Sequence, residues 1–243
     1  MAEIILPADC VVVFDLDDTL YLERDFALSG FAAVGRRLEM RHGITGFSEE
    51  CARLLDEGVR GSIFDRALAA LGALSAGIAI ADLVALYRRH RPKITLAPDA
   101  ARLLDRIDGR TGALITDGPA RMQAGKVGAL GIATQLGRLV LTGMLPPGCG
   151  KPHPMPFQLV ERWSGRPPHD HVYIADNGAK DFVGPRARGW RTVQILREGR
   201  IHRGDPPTAA HAADAVVDTL DAVQLEIARE SPAARSAAGS VAS

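Results

Sequence analysis

The chain has little of what marks extracellular, membrane-bound or nucleic-acid-binding proteins. It carries only three cysteines in 243 residues, Cys10, Cys51 and Cys149. An odd number without paired spacing suits a reducing, cytoplasmic setting better than a disulfide framework. There is no excess charge of either sign, with 29 basic and 29 acidic residues. General attraction to nucleic acid or to an anionic membrane is therefore not expected, and a small molecule is the default partner. Long hydrophobic runs are also missing. The longest apolar stretch, residues 72–86, is too short to span a bilayer and contains Asp82. Residues 1–9 show neither a basic nor an extended apolar region, so no signal peptide is expected. The small, polar segment 231–243 is expected to be a disordered tail.

What is present is ample apolar content, 47% of residues, arranged around one stretch. Cys10-Val-Val-Val-Phe14 reads as a strand buried on both faces of a parallel sheet. It runs directly into Asp15-Leu16-Asp17-Asp18-Thr19. Asp is rare inside strands, so the strand is expected to deliver acids at its C-terminal edge, where open α/β sheets bind ligands. While the chain stays extended, Asp15 and Asp17 share a side, roughly 6–7 Å apart. Two like charges so close call for a cation.

Residues 22–93 change to helical spacing, as in Phe31, Val34 and Leu38, with breaks near Gly43, Gly58 to Gly61 and Gly72 to Gly77. About four helices without a strand are expected, inserted as a lid. From Pro98 onward strands and helices alternate. A helix is expected near 99–108, with Asp99 as its N-cap. Further strands are expected at 112–115, 138–142, 171–175, 192–196 and 215–217, and a last helix at 218–229. This order predicts a doubly wound, mainly parallel α/β sheet: a core of residues 1–21 and 94–230 with an all-helical cap at 22–93.

Strand after strand ends in a chemically competent group: Asp15 and Asp17, Thr116-Asp117-Gly118, Lys151 in its loop, and Asp176 with Asp181. Clustered carboxylates suit Mg²⁺, which takes a few carboxylates together with phosphate and water. The segment around Gly118 opens a helix, a place for a phosphoryl anion, and Lys151 adds positive charge. Together they describe a phosphoryl-transfer site.

Four motifs in order carry a resemblance to the haloacid-dehalogenase-like (HAD) superfamily: Asp15-Leu-Asp17-Asp-Thr19, Thr116 in Leu-Ile-Thr-Asp-Gly, Lys151 in Gly-Lys-Pro-His-Pro, and Asp176-Asn177-Gly-Ala-Lys-Asp181. Its phosphatase branch with a C1-type helical cap fits best. The resemblance implies a Rossmann-like core and makes Asp15 the nucleophile, forming an aspartyl-phosphate. Asp17 becomes the general acid and base. Mg²⁺ is held by Asp15, Asp176 and the backbone carbonyl of Asp17. Asp181 and Asn177 support that shell, and Thr116, Asp117, Gly118 and Lys151 hold the phosphoryl group. True dehalogenases of this family lack the second acid, since a departing halide needs no proton, so Asp17 favours phosphate esters.

The function expected is Mg²⁺-dependent hydrolysis of a small soluble phosphate ester. A sugar phosphate leads, because the stretches from Ile115 through Gln123 to Lys126 and from Asp176 to Trp190 resemble phosphosugar, acylneuraminate-phosphate and nucleotide phosphatases. A phosphosugar mutase, a nucleotide phosphatase and a non-catalytic module on the same fold stay open. The loop ending in Lys151 is no P-loop, because Leu145 and Pro152 stand where Gly and Ser or Thr are required. His169 and His171 read as surface residues, His153 as a weak substrate contact, and Arg24, Arg53 and Arg60 as candidates for binding the leaving group.

Overall fold

Runs of β-branched and apolar residues form the strands at the centre of the molecule. The computed structural model describes residues 3–74, 76–201 and 206–226. In chain order the strands are β1 (Ile4–Leu6), β2 (Val11–Phe14), β3 (Gly112–Thr116), β4 (Arg138–Leu141), β5 (His171–Ala175), β6 (Arg191–Ile195), β7 (Ala215–Val217) and β8 (Val223–Leu225). Six of them form one parallel sheet in the order β4-β3-β2-β5-β6-β7. β1 and β8 pair, also in parallel, as a separate two-stranded ribbon.

Side-chain alternation along β2, β3 and β5 divides the core. Val12, Phe14, Leu114 and Ile174 join one apolar cluster, and Val11, Val13, Ile115 and Tyr173 another. Helices α5 (Pro98–Leu104) and α6 (Ala120–Leu130) cover the first face; α7 (Met155–Ser164) covers the second, with α8 (Val183–Ala187) packed beside β6. This is the doubly wound, Rossmann-like arrangement. The chain steps outward from β2 to β3 and β4, then crosses to the other side at β5. The crevice beyond the ends of β2 and β5 is thus the switch point at which such sheets take their ligands.

Between β2 and α5 the described residues form four helices and no strand: α1 (Glu23–His42), α2 (Phe47–Asp56), α3 (Ile63–Ala70) and α4 (Ile80–Arg89). They enclose an apolar cluster of their own around Phe31, Val34, Phe47, Leu54, Phe64 and Leu68. Tyr87 of α4 packs among Phe26, Phe31 and Phe64, with ring centroids 5.4–5.8 Å apart. Gly30 makes this possible, because a Cβ at that position would stand 2.4 Å from the Tyr87 ring. No helix among the described residues is long and apolar enough to cross a membrane.

Three expectations are corrected. Asp99 is not an N-cap, a position held by Ala97. Buried inside the first turn of α5, its carboxylate accepts from Arg197 Nη1 at 2.8 and 2.9 Å, from the Leu220 amide at 2.7 Å and from Thr219 Oγ1 at 3.0 Å. Arg197 in turn donates to the Thr19 carbonyl at 2.8 Å, tying this pair to the end of the acidic loop. Residues 218–226 are not helical: a single 3₁₀ turn precedes β8, because Val223 to Leu225 gain ladder bonds from β1. Residues 227–229 of that expected helix, and the expected disordered tail, lie outside the described residues. His171 is buried rather than on the surface, bonded to Ser164 and the Pro167 carbonyl and stacked on Trp190.

Breaking a buried ion pair from one side strands the other charge, at about 3–5 kcal/mol. Asp99→Ala is accordingly expected to lower the urea midpoint by that much stability, with no change in m-value. A loss below about 1 kcal/mol would show that the pair does not hold the C-terminal ribbon to the core.

Candidate active site

The register of the sheet sets the site. Phe14 pairs with both Leu114 and Ile174, so β2, β3 and β5 end nearly level. Asp15 just after β2, Thr116 at the end of β3 and Asp176 just after β5 thereby come to one edge. The Asp15 amide donates to the Ile174 carbonyl at 2.9 Å, fixing its height. The loop before α7 inserts Lys151 from below. Its Nζ lies 2.8 Å from Asp15 Oδ1 and 2.8 Å from Asp181 Oδ1, and it donates to the Tyr173 hydroxyl at 3.0 Å. Burial disfavours the Lys151 charge, but Asp15 and Asp181 outweigh burial and hold its pKa well above the ordinary lysine value.

One ammonium does not balance the acids gathered here. Carboxylate oxygens of Asp15, Asp176 and Asp181 lie within 4.8 Å of one another, all buried. Burial pushes Asp15 up to about 6, against the opposing pull of Lys151. Burial, then the charges of Asp15 and Asp181, push Asp176 up to about 9, and its Oδ2 is buried without a hydrogen-bond partner. An orphaned carboxylate oxygen facing surplus negative charge fits a hard divalent cation with oxygen ligands, such as Mg²⁺. Asp181 has other work. Its Oδ1 meets Lys151 and its Oδ2 accepts from the Asn177 amide at 3.1 Å, while Asn177 Oδ1 closes the turn on Ala179 N.

Asp17 leaves this cluster. After it the chain turns at Asp18, with φ of 53°. The Asp17 carboxylate is gripped by Lys126 Nζ at 2.7 and 2.9 Å, by Gln123 Nε2 at 3.0 Å and by the Tyr21 hydroxyl. Burial works to raise its pKa, but Lys126 and these bonds prevail and hold it below the usual carboxylate range. Gln123 Nε2 also donates to Thr116 Oγ1 at 2.5 Å. Lys126 Nζ lies 4.4 Å from the centre of the Phe26 ring, joining the core to α1 of the helical insert. With its carboxylate so engaged, Asp17 has only its backbone carbonyl to offer a metal.

The Asp117 carboxylate is engaged as well. It accepts from Thr142 Oγ1 at 2.7 Å and the Lys151 amide at 3.2 Å, clasping the lysine loop, which leaves the backbone N–H of Asp117 for a phosphoryl oxygen. Gly118 follows with φ of 129°, a conformation open to glycine, and turns the chain into α6. Asp15, Asp17, Asp117, Asp176 and Asn177 face one cavity of about 130 Å³, together with Glu23, Met122, Lys126 and Lys180. Of these, Glu23, Met122 and Lys180 carried no role in the sequence reading. Gln123 and Lys126 stood out there by resemblance alone; two polar residues one turn apart on the buried side of α6 were the available signal.

Other candidates fall elsewhere. Arg24 pairs with Asp56, and Arg53 with Glu50 and Glu57, on the exposed side of the insert. Arg60 donates to the carbonyls of Leu55 and Val59. His153 accepts from the Met155 amide.

The sign of the pH dependence follows from Asp176. A carboxyl whose pKa is raised on folding supports the folded state while protonated. Its contribution is complete below its ordinary value of 3.8 and is lost as pH rises through about 9. The metal-free protein should therefore melt lower at pH 8 than at pH 5, and saturating Mg²⁺ should raise Tm by about 5 °C or more at pH 8 and by less at pH 5. Melts with Mg²⁺ and with EDTA check this; an equal increment at both pH values would contradict it.

A family model described as haloacid dehalogenase-like hydrolase matches residues 11–187. No curated protein matches the chain. Among solved structures, L-2-haloacid dehalogenase from Xanthobacter autotrophicus is similar at TM-score 0.56 and 24% identity, covering 86% of this chain and 94% of that one. A protein described as a HAD hydrolase, YfnB of Bacillus subtilis bound to magnesium, is similar at TM-score 0.59 and 17% identity, covering 91% and 96%. A HAD phosphatase from Thermococcus onnurineus is similar at TM-score 0.53 and 21% identity, covering 87% and 94%. At these identities the likeness speaks for the fold, which dehalogenases and phosphatases share. With the family model spanning β2 to β5 of the sheet, the insert and the four clusters of site residues, this chain belongs to the haloacid dehalogenase-like hydrolases.

Proposed function

We propose that this hydrolase is a Mg²⁺-dependent phosphomonoesterase acting through an aspartyl-phosphate on Asp15. The observation that carries the reading is the Asp17 carboxylate, facing the same cavity as Asp15 and Asp176 and oriented by Lys126, Gln123 and Tyr21. A departing halide needs no proton, whereas an alkoxide does, and a carboxyl beside the nucleophile supplies it.

The steps follow from the residues in place. An Asp15 oxygen attacks phosphorus in line with the ester oxygen, and the phosphorus–ester bond breaks as the leaving oxygen takes a proton through Asp17, whose carboxylate, ionised beside Lys126, has received it from the monoanionic phosphate ester. Water then attacks the phosphorus of the aspartyl-phosphate, giving its proton to Asp17 and releasing phosphate with Asp15 restored. Lys151 offsets charge on Asp15 and on the incoming phosphoryl group. Thr116 Oγ1 and the backbone N–H groups at Asp117 and Gly118 hold phosphoryl oxygens at the start of α6. Bound by Asp15, Asp176 and the Asp17 carbonyl, Mg²⁺ would supply the remaining positive charge.

Release of inorganic phosphate from a panel of monoesters, with and without Mg²⁺, tests the reading. Metal-dependent release is expected. No phosphate from any ester, with halide released from 2-haloacids instead, would overturn it; rearranged phosphosugar without free phosphate would identify a mutase.

A further inference from the structure

We propose that the substrate's leaving group enters an apolar chamber inside the helical insert, so that the preferred esters are monophosphates of alcohols carrying an apolar body about the size of an aromatic ring. The inference rests on the phosphomonoesterase reading and narrows it. The catalytic cavity holds about 130 Å³. At roughly 30 Å³ for each water-sized group, that accommodates about four such groups, or little more than a phosphoryl group. A larger leaving group extends beyond this space.

A second cavity of about 320 Å³ opens between α1, α3 and α4, walled by Phe31, Ile63, Phe64, Val84 and Tyr87. Glu23, in the first turn of α1, lines both cavities, so one side chain borders the catalytic space and the chamber alike. A cavity of roughly 150 Å³ takes up benzene, so this one has room for a ring and the carbons that join it to the ester oxygen. The charged residues of the chamber stand apart from that wall: Glu23 at the throat, and Arg60, Asp65 and Arg88, which are exposed, at the rim.

A sugar body would lose water from each hydroxyl on entering and find few partners on these walls, whereas an apolar body gains by burial. The chamber therefore favours a different class from the sugar phosphate expected from sequence. Tyr87 belongs to the wall because Gly30 lets it lie against α1.

The test compares kcat/KM for ethyl phosphate, phenethyl phosphate and glucose phosphate with Mg²⁺, in the wild type and in Val84→Trp and Ile63→Trp, each of which fills the chamber. In the wild type, phenethyl phosphate should exceed both other esters by about tenfold or more. In a filled variant that retains a cooperative melt, the ratio of phenethyl to ethyl phosphate should fall to near one. Glucose phosphate matching or exceeding phenethyl phosphate in the wild type overturns the inference and leaves the phosphomonoesterase reading standing, and that comparison needs no variant. A tenfold ratio that persists in the filled variants also overturns it. Phosphate release from no ester at all would remove the underlying reading, and this inference with it.

Discussion

Asp15→Asn should lower phosphate release by about 10⁵-fold, the scale expected when a covalent nucleophile is removed and only binding and charge stabilisation remain. The amide keeps the shape of the side chain but has no anionic oxygen to attack phosphorus. Its effect on stability should run the other way. Asp15 is one of three buried carboxylates sharing Lys151 and an orphaned oxygen on Asp176, so neutralising it relieves repulsion, while Lys151 keeps Asp181 at 2.8 Å. The variant should melt no lower than the wild type at pH 8 without metal. A fall in turnover of less than tenfold would mean that another group attacks.

Asp17→Asn separates the two kinds of leaving group. General acid catalysis contributes about 10²–10⁴-fold where the departing oxygen must be protonated, and little where it leaves as a stable anion. Since kcat/KM reports the steps through loss of the first product, the variant should lose that factor on an alkyl phosphate and less than about fivefold on p-nitrophenyl phosphate. Its kcat on the nitrophenyl ester should still fall, because Asp17 also activates water in the second step. Equal losses in kcat/KM on both esters would instead make Asp17 a structural member of the network it forms with Lys126, Gln123 and Tyr21.

The groups legible in the sequence are those the backbone alone brings together. Asp15, Thr116 and Asp176 each stand at the end of an apolar strand, and parallel pairing in register carries them to one edge whatever surrounds them. Lys151 and Asp181 were legible through their motifs, and the structure adds the 2.8 Å contacts that bind them. The partners of Asp17 were harder to read. Gln123 and Lys126 are polar residues on a surface-covering helix, where such a pair ordinarily faces water; the packing of α6 against the Asp17 loop, Thr116 and Phe26 buries them. Asp99 looked like a cap because its partners Arg197, Thr219 and Leu220 lie about a hundred positions away in the chain. Residues 223–225 carry too little periodicity to separate strand from helix, and pairing with β1 decides. The chamber of the insert depends on how three helices cross, which residue spacing does not encode.

The most direct measurement is acid quench of the protein milliseconds after mixing with Mg²⁺ and radiolabelled phenethyl phosphate, followed by peptide mapping. Label on the peptide carrying Asp15, acid-stable but lost to hydroxylamine, and enriched in Asp17→Asn when labelled p-nitrophenyl phosphate replaces the alkyl ester, is the predicted result. Phosphate released in the burst with no label on Asp15 would contradict the account.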